Sequence, residues 1–278
     1  MLGGLINMTD ELVGQDEQDD GLGAVRPSQV VRAEIVEFLR DDTTRLGQVF
    51  QGRERKLSAD EIAAELGVAT SGFVSNYART IRTLVDGDLA TAPTLALQAA
   101  RTFRRLLRDH DWSPEAHRYL ERNLAELERR ASDEAARTVE VEQAKAQTER
   151  AESENVPGVY VYALPHYLRY PYEKSGRTLM KVGRSDSDVI QRFMNQTRTT
   201  ALPEEPILLR IYRTDPQTSA IAEARFHRLL EAADHQRSVA RTAGREWFVT
   251  STRFLDEVAA TLALPIEVVN EAEITDDE

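Results

Sequence analysis

Along the first half of the chain apolar residues return every three or four positions; along the second they alternate or bunch into short runs. The first spacing is that of amphipathic helices, the second that of strands set between helices. Helical spacing begins after Pro27, where Ser28 caps a helix carrying Val31, Ile35, Phe38 and Leu39. Ser58-Ala59-Asp60-Glu61 is a capping box, and it opens a helix with Ile62, Ala63 and Leu66 that ends at Gly67. Val68-Ala69-Thr70 makes a turn, and Phe73, Val74, Tyr77, Ala78, Ile81 and Leu84 define a longer helix closed by Asp86-Gly87. Ser113-Pro114-Glu115 starts another helix, with a cap and a proline at its first position. Its stripe of Tyr119, Leu120, Leu124 and Leu127 fades into Ala, Glu, Arg and Gln from 132 to 154. With no Gly or Pro between 115 and 156, the pattern predicts one helix of about forty residues, roughly 60 Å long. Such a helix is a spacer between two halves, or a coiled coil that joins two copies of the chain.

Beyond residue 156 the pattern changes. Gly158-Val159-Tyr160-Val161-Tyr162-Ala163-Leu164 and Leu179-Met180-Lys181-Val182-Gly183-Arg184 are two strands of an antiparallel hairpin, rich in β-branched and aromatic residues and bounded by turn formers. Period-two alternation sets Tyr160 and Tyr162 on one face of the first strand, and Lys181 and Gly183 on one face of the second. Asp186 or Asp188 caps a helix carrying Val189, Ile190, Arg192 and Phe193. The run from Ile207 to Tyr212 is a buried central strand. Ile221, Ala222, Arg225, Phe226, Leu229 and Leu230 keep helical spacing, with Glu223 and His227 one turn apart on one face. Residues 244–249 form a short edge strand, and Thr250 or Ser251 caps a closing helix through Leu262. The fold class expected is α+β: a helical first half, a long helical linker, and a small α/β domain with a central antiparallel sheet. The divisions are an acidic disordered tail at 1–26, a helical domain at 27–110, a linker at 111–155, the α/β domain at 156–264 and a second acidic tail at 265–278.

Composition narrows the possibilities. An apolar content of 41% is ordinary for a globular protein, and the chain has no cysteine, which excludes disulfides and thiolate metal sites. No apolar run approaches the roughly 20 residues that span a bilayer, and the N-terminus lacks a signal-peptide profile. A soluble, cytoplasmic protein with no membrane partner is expected. Net charge is −12, but the two tails carry six acids each against one base in total, while residues 156–264 hold fifteen Lys and Arg against twelve Asp and Glu. The acid lies in the tails, and the α/β domain is mildly basic.

The short helix, turn and longer helix across 58–87 match a helix-turn-helix. On its outer face Ser71, Ser75, Asn76, Arg79 and Arg82 suit base edges and phosphates. The same spacing also serves an αα-hairpin that only packs. Arg101, Arg104, Arg105 and Arg108 on the next helix add positive charge. The loop between the two hairpin strands holds His166, Tyr167, Arg169, Tyr170, Tyr172, Lys174 and Arg177, groups that can stack on bases and hold phosphates.

The second half, from 156 to 264, resembles the GIY-YIG nuclease superfamily, in the phage-type branch whose second motif is Lys-aliphatic-Gly. The resemblance is carried by Val161-Tyr162 for the first motif, Lys181-Val182-Gly183 for the second, Arg192, Glu223 with His227, and Gly-Arg-Glu-Trp-Phe at 244–248. Gly158-Val159-Tyr160 also matches the first motif literally; Tyr162, followed by Ala-Leu-Pro, sits more naturally where this branch places its tyrosine. Lys181 stands where the wider superfamily has a tyrosine. The resemblance implies a metal-dependent DNA endonuclease. Glu223 would be an oxygen ligand for Mg²⁺ or Mn²⁺ and Arg192 a phosphate clamp, with Tyr162 or Tyr160 activating water. A phenol ionises near pH 10, so Lys181 would lower its pKa or touch the phosphate. His227 would orient the scissile group or a water, and Arg184, Arg169, Lys174 and Arg177 are further phosphate contacts. Tyr162, Lys181, Arg192 and Glu223 are expected to open into one concave surface. Two other classes stay open: a non-catalytic DNA-binding regulator on the same fold, and an interaction module of a larger complex. DNA is the expected partner, with a homodimer through the 114–155 helix as a further possibility.

Overall fold

In the computed structural model, which describes residues 24–171, 177–185, 204–237 and 246–271, Ser28 accepts a hydrogen bond from the Val31 amide and starts α1 (Gln29–Asp41). Asp42 then makes a tight turn, accepting from the Thr44 and Gly47 amides at 2.9 and 3.1 Å. This turn launches α2 (Arg45–Glu54), which the spacing of apolar residues alone did not announce. Ser58 and Glu61 form the expected capping box at the start of α3 (Ala59–Glu65). After the turn, α4 (Gly72–Asp86) buries Val74, Tyr77, Ile81 and Leu84, and Gly87 closes it at φ +70°, a left-handed conformation that costs glycine little.

The predicted forty-residue rod does not form. Ser132 ends α6 (Pro114–Ala131), and the Asp133 carboxylate caps a new helix, α7 (Glu134–Ser153), by accepting from the Ala136 amide at 3.0 Å. An acid that satisfies the orphan amides of a new first turn lets one helix end and the next begin without a glycine or proline. The two pieces serve different cores. With α5 (Pro93–Asp109), α6 makes a hairpin that places Ala116, Tyr119, Leu120 and Leu127 in the core of the helical half. Helix α7 lies against the sheet instead, where Thr148 Oγ1 accepts from the Leu208 amide at 3.0 Å and Asn270 donates to the Ala144 carbonyl. The stripe read as part of a spacer or a coiled coil is therefore used within the protein.

The second half is an antiparallel five-stranded sheet of order β4-β2-β1-β3-β5, made of β1 (Gly158–Ala163), β2 (Thr178–Ser185), β3 (Ile207–Arg213), β4 (Trp247–Thr250) and β5 (Ile266–Val268). Strand β5 pairs with β3, Arg210 opposite Val268, so part of the stretch expected to be an acidic tail completes the sheet. The loop after β1 begins with a short helix, α8 (Pro165–Arg169). Both α9 (Ser219–Ala232) and α10 (Thr252–Thr261) pack on the face that carries Val159, Val161, Met180 and Val182. Helix α7 covers Tyr160, Tyr162, Leu208 and Ile211 on the other face. No helix among the described residues is long and apolar enough to cross a membrane.

The two halves meet at the turn between α3 and α4. Val68, Ala69, Thr70, Phe73 and Asn76 line a cavity of about 50 Å³ together with Arg210, Arg253, Asp256 and Glu271. Glu271 sits over the start of α4, its Oε1 only 2.2 Å from where a Cβ on Gly72 would lie. Beneath it, Arg210 donates to Asp256 at 3.2–3.3 Å and to the Asn270 carbonyl at 2.9 Å, while the Tyr212 hydroxyl donates to Asp256 at 2.8 Å.

Candidate functional site

Strand register decides which candidate side chains can meet. Tyr162 lies directly across from Lys181, and Tyr160 from Gly183, so these four share the α7 face of the sheet. Val159 lies across from Arg184, and Val161 from Val182, which puts Arg184 on the α9 face. The expected single concave surface is thereby split. Tyr160, Tyr162 and Lys181 lie on one side of the sheet; Arg184, Glu223 and His227 lie on the other. The physical reason is the period of two itself: neighbours along a strand point to opposite faces.

On the α7 side the tyrosines are buried. Tyr162 is 3% exposed, and its hydroxyl donates to Glu152 Oε1 at 2.9 Å. Tyr160 donates to the Val156 carbonyl, and the two rings stack at 6.3 Å. Burial, reinforced by the neighbouring Glu152 carboxylate, pushes the Tyr162 phenol far above its ordinary range. This corrects the expectation that Lys181 would lower it toward a usable base. Lys181 is instead turned to Glu246, Nζ to Oε2 at 3.3 Å, at the β2–β4 edge.

Glu152 is itself raised, chiefly by burial, and the hydrogen bond from Tyr162 opposes that rise. A carboxyl that titrates higher in the folded state contributes stability that is fully present below the unfolded value and is lost as pH rises through the folded one. Tyr162→Phe removes the opposing hydrogen bond. The variant is expected to lose about 1.5–3 kcal/mol at neutral pH, with a smaller deficit in acid where Glu152 is protonated. Urea denaturation at a series of pH values measures this; an equal deficit at every pH would count against the Glu152 assignment.

On the α9 side lie three candidate groups. His227 brings Nε2 to 2.8 Å from the Val182 carbonyl, its ring 5.0 Å from that of Phe248. A carbonyl oxygen only accepts, so Nε2 carries the proton and Nδ1 is the acceptor in the neutral ring. One turn earlier, Glu223 holds Oε2 at 3.7 Å from Arg184 Nε, with side-chain exposures of 18% and 36%. A carboxylate and a guanidinium thus meet at the β2–α9 junction, partly open to solvent, with the imidazole one helical turn on and held against β2. Sequence spacing found all three and assigned them to the wrong company.

The remaining candidates scatter. Arg169 forms a two-pronged ion pair with Glu134 and lies 5.2 Å over the Tyr170 ring, so its guanidinium is engaged by α7. Arg177 is half-buried just before β2. Arg192 and Lys174 lie outside the described residues. In α4, Ser75, Arg79 and Arg82 form an exposed stripe, whereas Asn76 is half-buried and accepts from Arg79 Nη1 at 3.1 Å. Asn76 therefore steadies Arg79, contrary to the expectation that it reaches base edges itself. No group of three or more His, Cys, Asp or Glu able to hold a metal ion occurs among the described residues. No curated protein and no solved structure matches the chain. Residues 158–263, which hold the sheet's first four strands and the Arg184–Glu223–His227 group, match the T5orf172 domain.

Proposed function

We propose that the chain is a DNA endonuclease of GIY-YIG type whose chemistry is carried at the β2–α9 junction, with the helical half serving to hold DNA. The observation that carries this reading is the approach of Arg184 and Glu223, with His227 one turn on against the same strand, within the stretch that matches the T5orf172 domain. The donor set fits Mg²⁺ or Mn²⁺, cations that take one or two carboxylates and draw the rest of their shell from water and substrate. It does not fit a cation that needs a full protein cage. When bound, the cation would supply charge stabilisation at the phosphoryl oxygens.

The chain's own groups do the rest. Glu223 provides the hard oxygen ligand. Arg184, planar and permanently charged, binds a phosphate oxygen in place of its present contact with Glu223. His227, with Nε2 held on the Val182 carbonyl, presents Nδ1 as the proton acceptor of the neutral ring. The tyrosines act through the sheet by packing, with no proton transfer assigned to them.

A second reading, a DNA-binding regulator on the same fold, is favoured by the burial of Tyr162 and its engagement with Glu152. Incubating supercoiled plasmid with the protein in Mg²⁺, in Mn²⁺ and in excess chelator separates the two. The endonuclease converts supercoiled to open or linear DNA with metal and not with chelator. Shifted but intact plasmid under every metal would overturn the enzyme in favour of the regulator.

A further inference from the structure

We infer that Arg253, at the start of α10, extends the arginine stripe of α4 into a single duplex-DNA surface shared by the two halves of the chain; this rests on the reading of the protein as DNA-acting. Ser75, Arg79 and Arg82 recur at i, i+4 and i+7 on the exposed side of α4. That stripe does not end at the helix. Asn76, which accepts from Arg79, lines the small cavity between the halves, and Arg253 lines the same cavity from α10. The partner of Arg79 and the Arg253 side chain thus border the same small cavity.

The support beneath Arg253 is fixed. Asp256, one turn on, is held by Arg210 and by the Tyr212 hydroxyl, and Thr252 Oγ1 is 3.3 Å from Arg210 Nη2. Helix α10 is therefore tied to β3, and Gly72 at the start of α4 lies close under Glu271, which also reaches Arg210. Of the acids at the seam, Asp256 points inward to Arg210, and Glu271 pairs with Arg210 at 3.4 Å. Glu257, exposed and one turn from Arg253, is the carboxylate that opposes an approaching phosphate. A guanidinium suits phosphate oxygens by its fork of donors, and backbone contacts set the register of a protein on a duplex without reading sequence. A surface built from both halves has a consequence for function. A duplex held on both α4 and α10 touches the domain that carries the β2–α9 junction as well as the helical half.

Fluorescence anisotropy with a short duplex in chelator, repeated across a salt series, tests this. Each phosphate contact contributes about 0.9 to the slope of log affinity against log salt. Arg253→Gln is expected to lower the slope by about that amount and to weaken binding about eightfold at moderate salt. Arg253→Lys should restore the slope, and Glu257→Gln should tighten binding. Arg79→Gln should match Arg253→Gln. If Arg79→Gln lowers the slope while Arg253→Gln leaves affinity and slope unchanged, α4 acts alone and the shared surface is wrong. If neither substitution moves the slope, the DNA-holding role of the helical half falls with it.

Discussion

Glu223→Gln is expected to lower metal-dependent plasmid cleavage about a thousandfold while duplex binding stays at the parental level or tightens. The substitution keeps the shape of the side chain and removes its charge, so the hard anionic ligand for the cation is lost. A thousandfold corresponds to about 4 kcal/mol of transition-state charge stabilisation, the scale of a bound cation acting on phosphoryl oxygens. Binding should not fall with it, because Glu223 lies 3.7 Å from Arg184 and its negative charge competes with phosphate for that guanidinium. Neutralising it leaves Arg184 freer to meet the backbone. Cleavage rates against Mg²⁺ and anisotropy in chelator, measured on the same preparation, give both halves of the prediction. Parental cleavage by the variant would reject the β2–α9 junction as the site.

Asp256→Ala is expected to destabilise the C-terminal half by about 3–5 kcal/mol, the usual cost of removing one partner from a buried ion pair. Arg210 is 3% exposed and Asp256's side chain 6%, and the carboxylate accepts from both Arg210 and Tyr212. Without it the guanidinium keeps two carbonyls, Thr252 and Glu271 but loses its buried counter-charge. Replacing Arg210 by Met in the same protein should recover part of the loss, since the charge that was stranded is then gone. Urea denaturation of both single variants and the double variant measures the coupling. Full additivity would mean that the pair is not energetically linked.

Much of the architecture was legible from local signals. Ser28, the Ser58–Glu61 box, Ser113-Pro114 and Gly87 mark helix ends because they satisfy or forgo particular backbone amides, whatever the chain does elsewhere. The hairpin of β1 and β2, and the buried β3, follow from alternation and β-branched content. Glu223 and His227 were recognisable as a pair because a helix sets residues four apart on one face. Even the break in the supposed rod was written in the chain at Asp133, a capping acid hidden in a run of charged residues where it looked like one more solvated group.

Other features depended on contacts that no local pattern contains. Alternation separates odd from even positions along one strand but does not say which face a later helix will cover. That choice, made when α9 buried Phe226 against Val182 and α7 buried Ala151 against Tyr160 and Tyr162, put the tyrosines and Glu223 on opposite sides of the sheet. It also turned a phenol expected to ionise into one whose proton is held against Glu152 in a closed core. The seam between Gly72, Glu271 and Arg210, and the role of β5, likewise join residues far apart in the chain. By itself the sequence determined most of the helix ends and four of the five strands, because backbone hydrogen bonding and periodicity act over a few positions. Which residues meet was decided only by tertiary packing, because burial acts across the whole fold and allots each face of the sheet to one covering helix or another.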